Sequence, residues 1–131
     1  MICPCMSSKT YEECCKPLLK GIDKAKTPEE LMRSRFTAYA RKNIDYIIKT
    51  TDSSGPIYQS DLNAWKKDLK LFCTQTSFAT LTILETKNIS EYEGTVTFFA
   101  GLMSIYGQDI SFTEKSLFKK NKGVWYYHSP L

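Results

Sequence analysis

The chain has 131 residues, enough for one compact domain and a small appendage. Its 42% hydrophobic and 24% charged residues are ordinary globular proportions, which argues against a disordered tail or a fibrous repeat. The net charge of +4 is mild, and lysine clusters such as Lys66-Lys67-Lys70 and Lys119-Lys120-Lys122 suit solvated faces better than a nucleic-acid surface.

Four of the five cysteines come first, as Cys3-Pro4-Cys5 and Cys14-Cys15. A segment this short has no core of its own, and four soft ligands on it suit a closed tetrahedral zinc site that contributes folding energy directly. Two alternatives stand beside zinc: a disulfide framework, and redox chemistry at the vicinal pair. The start MICPCMSS lacks a basic stretch followed by an apolar one, and no run reaches the length of a membrane span. A reducing, cytoplasmic setting without membrane association is therefore expected, which favours structural Zn2+, one per chain. Lys9 and Lys16 can offset the charge of four thiolates, and Pro4 with Ser7-Ser8 suits a backbone that turns its amides towards sulfur. Cys73, in the apolar setting Leu71-Phe72, reads as a buried, inert small hydrophobe.

Residues 16–26 read as a connector containing Pro17 and Gly21. Thr27-Pro28-Glu29-Glu30 then announces a helix, with Thr27 as N-cap, Pro28 in the first position and Glu30 completing a capping box. It runs to about Lys42, Asn43 recaps a continuation through Ile48, and Asp52-Ser53-Ser54-Gly55-Pro56 stops it. A second helix is expected over 60–71, capped by Ser60, with Leu62, Trp65, Leu69 and Phe72 on one side. Strands follow over 78–86, 95–105, 110–119 and 124–128, separated by turns at 88–94, 106–109 and 120–123. Helices followed by a four-stranded antiparallel meander make an α+β fold in which the sheet curls round the long helix.

Two charges break the binary pattern. Arg35 projects near the middle of the stripe formed by Leu31, Met32 and Tyr39, with Arg33 at its edge. Glu114 shares a strand face with Phe112, Ser116 and Phe118. A buried guanidinium needs an acceptor, so an Arg35–Glu114 pair across the helix–sheet interface is expected. The alternative makes Arg35 or Arg33 the anchor of an anionic ligand in a cavity lined by Tyr39, Trp65, Phe98, Phe118 and Trp125, since arginine's planar fork suits carboxylates and phosphates. Catalytic equipment is sparse. The lone His128 beside tyrosines reads as structural, no nucleophile–base pair can be assembled, and Glu114 is the only candidate base.

Cys3-Pro4-Cys5, Ser7, Tyr11 and Cys14-Cys15 resemble the SEC-C motif, a zinc knuckle also found at the tail of the SecA translocation ATPase. The run from Thr27 to Tyr39 (TPEELMRSRFTAY) resembles the signature of the YchJ-like family, in which that knuckle precedes an NTF2-like domain. Residues 46–50, 96–98, 114–118 and 123–127 fit the same family in the same order. The resemblance implies zinc ligation by Cys3, Cys5, Cys14 and Cys15. It also implies an NTF2-like (cystatin-like) cone, a curved antiparallel sheet wrapped round the N-terminal helices. The expected division is a knuckle over 1–22 and an NTF2-like domain over 23–131. Met6 stands where the family usually has glycine, and no second knuckle is found before Leu131, so a function needing two is not expected. The resulting expectation is a non-enzymatic adaptor that docks a protein partner through the knuckle, with a homodimer left open. The alternative is a small-molecule binder or enzyme using the cone.

Overall fold

The computed structural model describes residues 1–131. Helix α1 (Lys16–Leu19) is followed by α2 (Pro28–Ala40), α3 (Ile44–Lys49) and α4 (Leu62–Thr74), then strands β1 (Thr76–Asn88), β2 (Glu93–Ser104), β3 (Phe112–Asn121) and β4 (Val124–Pro130). The expected connector thus holds one helical turn, with Pro17 in its first turn, where a missing N–H costs nothing.

Local signals account for most boundaries. The Thr27 hydroxyl accepts the Glu30 amide at 3.1 Å, while the Glu30 carboxylate takes the amide of Lys26 at 3.1 Å, one residue earlier than in a standard capping box. Asn43 caps α3 by accepting the Tyr46 amide at 3.1 Å. The cap of α4 is Asp61, which accepts the Ala64 amide at 3.1 Å, and not Ser60. Adjacent Ser and Asp are both competent caps, and sequence does not rank them. Of the stripe expected along α4, Trp65 is buried, Leu69 and Phe72 face the interior, with Phe72 edge-on to Tyr39 and Phe78, and Leu62 lies at its exposed end.

The four strands pair antiparallel in the order β1-β2-β3-β4. The β3–β4 hairpin turns on Lys122 and Gly123, both at positive φ, which matches the right-handed twist of the flanking strands. Register shifts after Phe78 and Ile83 in β1, and between Leu117 and Phe118 in β3, mark irregularities that bend the sheet. Its concave face carries Leu81, Val96, Phe98, Ala100, Leu102, Phe118 and Trp125, packed against Leu31, Met32 and Phe36 of α2. Gly94 lets β2 approach α2 closely, since a Cβ there would lie 2.9 Å from the Pro28 ring. The result is the expected α+β cone.

The knuckle is part of this core. Cys3, Cys5, Tyr11 and Cys15 belong to the same contiguous buried cluster as the α2 and sheet residues. The hydrophobic interior runs through the boundary expected between residues 22 and 23.

Phe118 is fully buried and Leu84, on β1, is largely exposed. Phe118→Ala is expected to cost about 3–5 kcal/mol in denaturant unfolding, and Leu84→Ala to stay within about 0.5 kcal/mol of wild type.

Candidate metal centre and cone cavity

The four N-terminal cysteines converge. Their sulfurs all lie within 4.8 Å of one another, three of the residues are buried, and Cys14 is half-buried. None is in a disulfide. Cys5 and Cys14 sulfurs are 3.6 Å apart, and those of Cys14 and Cys15 are 3.9 Å apart. A tetrahedron with metal–sulfur bonds of about 2.3 Å has edges of about 3.8 Å, which the Cys5–Cys14 and Cys14–Cys15 separations match, so the cluster could hold a tetrathiolate ion.

Hydroxyl groups complete the surroundings. Thr37 Oγ1 donates to Cys15 Sγ at 3.3 Å and lies 3.6 Å from Cys3 Sγ, and Ser7 Oγ is 3.1 Å from Cys14 Sγ. The cluster distributes its protons unevenly. Hydrogen bonding from Cys15 is the main reason the Cys5 thiol is lowered to about 4. The same bond pushes Cys15 up, and burial raises Cys14. A divalent ion held by all four would displace the remaining protons, as thiolate ligation requires.

One face of α2 grips the knuckle. Arg33 Nη1 donates to the Cys5 carbonyl at 2.7 Å while its Nε pairs with Glu29 at 3.0 Å. Thr37 reaches the sulfurs, and the Arg41 guanidinium lies 4.1 Å from the centroid of the Tyr11 ring. Residues 33, 37 and 41 are spaced by four and fall on one side of a helix. Arg33 is therefore a clamp on the cysteine loop and not an anchor in the cone. Met6, at φ +66°, adopts the left-handed conformation that explains why glycine suits this turn.

The other face of α2 lines a cavity of about 270 Å³ inside the cone. Of the residues expected there, Arg35, Tyr39, Phe98 and Glu114 are present, joined by Phe36, Phe78, Leu102 and Tyr127. Trp65 instead packs edge-on against Tyr58 at 5.1 Å. Phe118 is sealed in the core against the Tyr127 ring, and Trp125 lines a separate small cleft with Leu18, Leu31 and Tyr46. Large aromatic residues on correct faces were expected as lining, but their depth along the cone is not encoded in periodicity.

Arg35 is only 5% exposed, and it makes no ion pair with Glu114; that expectation is corrected. Its Nη1 donates to the Ile47 carbonyl (2.9 Å), Thr50 Oγ1 (2.8 Å) and Thr51 Oγ1 (3.1 Å), satisfying the C-terminal end of α3. The guanidinium carbon sits 4.7 Å from the centroid of the Tyr127 ring, and the Tyr127 hydroxyl donates to Glu114 Oε2 at 3.0 Å. Ser116 Oγ donates to the same oxygen. The two charges are thus linked through a phenol. Burial pushes the Arg35 pKa down, an effect opposed by Tyr39, Tyr127, Tyr46 and Glu114; the group remains a cation. Burial, then the nearby Glu114, pushes the Tyr127 hydroxyl up, which keeps it protonated as a donor. Thr50-Thr51, directly after the helical run IDYIIK, is the sequence signal that points to this alternative set of acceptors.

Known proteins are similar to this chain in sequence and in fold. A family profile described as the middle NTF2-like domain of YchJ matches residues 27–130. The UPF0225 protein of Geobacter sulfurreducens is 36% identical over 128 residues, covering 96% of this chain and 76% of its own length. The UPF0225 protein of Haemophilus influenzae is 35% identical, covering 98% and 76%. The solution structure of a SEC-C motif containing protein from Rhodopseudomonas palustris superposes with a TM-score of 0.85 at 36% identity, over 100% of this chain and 98% of that one. A ketosteroid isomerase-like protein from Erwinia carotovora atroseptica, at 17% identity, TM-score 0.53 and coverage of 76% and 86%, shares the fold alone.

Replacing Thr37 by Val removes the hydroxyl at two of the sulfurs while keeping the side-chain volume. Metal affinity measured by chelator competition is expected to fall about 10–100-fold, with Thr37→Ser restoring it.

Proposed function

The chain belongs to the YchJ-like family, and on that footing we propose that it is a metal-stabilised binding protein whose cone holds a small, mostly apolar molecule. The metal is zinc, one ion per chain, in a structural role. Four thiolates leave no open position for water or substrate, and the site serves to fix α2 against the knuckle. One observation carries the ligand reading. A guanidinium buried to 5% exposure spends one nitrogen on protein acceptors and turns the rest of its donors to an apolar cavity. A polar anchor within aromatic walls is the usual composition of a small-molecule site, and the volume lies near the lower end of the range of about 300–1,000 Å³. Glu114 Oε2 already accepts two hydrogen bonds, which supports binding in preference to catalysis by this carboxylate.

Metal analysis of protein purified without supplement is expected to give one zinc per chain, lost in Cys5→Ser. Ring-sized fragments should shift the NMR signals of Phe36, Ala100 and Leu102, and Ala100→Phe, which fills the cavity, should abolish those shifts. Fragment shifts that map outside the cone, or that survive Ala100→Phe, would remove the ligand reading.

A second reading, docking of a protein partner through the knuckle, is favoured by the exposure of Met1, Ile2 and Met6 (80%, 60% and 43%) beside the cysteine cluster. Isolated exposed apolar residues are common, but these lie on one small loop. Ile2→Asp with Met6→Asp is expected to abolish capture of such a partner while zinc content stays at one. Capture that persists with zinc retained would sink this reading.

A further inference from the structure

The polar end of the cone defines the head group of what binds there, an inference that rests on the ligand reading above. Arg35 uses only Nη1 for protein acceptors. Its Nε and Nη2 make no hydrogen bond within the chain, yet no buried side-chain nitrogen or oxygen is both sealed from solvent and without a partner. Because the residue is 95% buried and lines the cavity, the access of these two nitrogens is to the cavity. Nε–H and Nη2–H leave a guanidinium side by side and form the edge that grips a planar oxygen acceptor.

Glu114 mirrors this. Its Oε2 takes the Tyr127 and Ser116 hydroxyls, while Oε1 has no partner in the chain and is likewise not sealed off. The lining of one otherwise apolar cavity therefore offers a pair of unspent donors from α2 and an unspent acceptor from β3. The site already holds one cation and one anion. A carboxylate or phosphate on Arg35 would add a second negative charge beside Glu114, and two like charges sharing a site oppose one another. A neutral planar group with a carbonyl on one side and an N–H on the other satisfies both partners and adds no charge. The walls suit a ring: Phe36 and Phe78 meet edge-to-face at 6.0 Å and Phe98 and Phe112 at 5.9 Å.

We infer that the cone binds a neutral one-ring molecule bearing an amide-type head, a primary carboxamide or lactam. Its carbonyl accepts from Arg35 Nε and Nη2, and its N–H donates to Glu114 Oε1. This replaces the anionic ligand suggested by the arginine alone.

The isosteric probes cinnamamide and cinnamate, with styrene as a head-less control, test the assignment. Dissociation constants follow from NMR titration of the zinc-loaded full chain at neutral pH. Cinnamamide is expected to bind at least tenfold more tightly than cinnamate. In Glu114→Gln, which removes the negative charge and presents an N–H₂, the preference should shift towards cinnamate by a similar factor. Cinnamate binding wild type as tightly as cinnamamide would overturn the head-group assignment. So would styrene binding while both polar probes fail, though the cone would remain a ligand site. Failure of all three probes to perturb the cone would overturn the ligand reading itself.

Discussion

Everything in this molecule is hung on helix α2, which is buried on nearly every side. Eight of its thirteen residues are inaccessible, among them a serine, a threonine and an arginine. Each of these polar groups is held by a neighbour: Ser34 by Tyr46, Thr37 by the cysteine sulfurs, and Arg35, through Nη1 alone, by the end of α3. Desolvating three such groups is tolerable only because their partners are fixed. The helix therefore registers the cysteine loop and α3 against one another, and the Arg35 guanidinium meets the sheet at the Tyr127 ring. Apolar contact alone would allow sliding, whereas directional bonds to Cys15, Tyr46 and Ile47 select one arrangement.

This central position explains what could be read from the sequence. Capping residues act within one turn, so Thr27, Pro28 and Asn43 marked helix starts reliably. Strand alternation is also local, and it assigned Phe112, Glu114, Ser116 and Phe118 to one face. The cysteine spacing carried the four-thiol cluster because its members are close in sequence as well as in space. Arg33 and Arg35 are a different matter. Two residues on a helix differ by about 200°, so one faces the knuckle when the other faces the cone. A helix with polar residues on several sides, buried nearly all round, offers no clear solvent face from which to tell those directions apart.

The partner of Arg35 was invisible for a related reason. Inward-facing opposite charges invite pairing on electrostatic grounds, yet the nearest acceptors came from the C-terminus of α3. Carbonyls that have run out of helical amides are attractive to a cation, and the flanking Thr50 and Thr51 hydroxyls add to them. Tyr127 then occupies the space between the charges, touching one with its ring and the other with its hydroxyl. Such an arrangement depends on three elements separated by up to 92 positions in the chain, from Arg35 to Tyr127. No local pattern reports it.

The fusion of knuckle and cone into one interior bears on how the chain is assembled. All four thiols precede the helix and sheet that cover them, so during synthesis they are available while their shield does not yet exist. A loop closed by an ion at that stage arrives at α2 already shaped, and the hydroxyl of Thr37 meets sulfur atoms that need no further sorting. If the loop arrived open, its reduced thiols would have to be buried first and an ion admitted past the half-exposed Cys14 afterwards. For any ion the cluster holds, the order of residues along the chain thus favours capture as an opening event of folding over a finishing one.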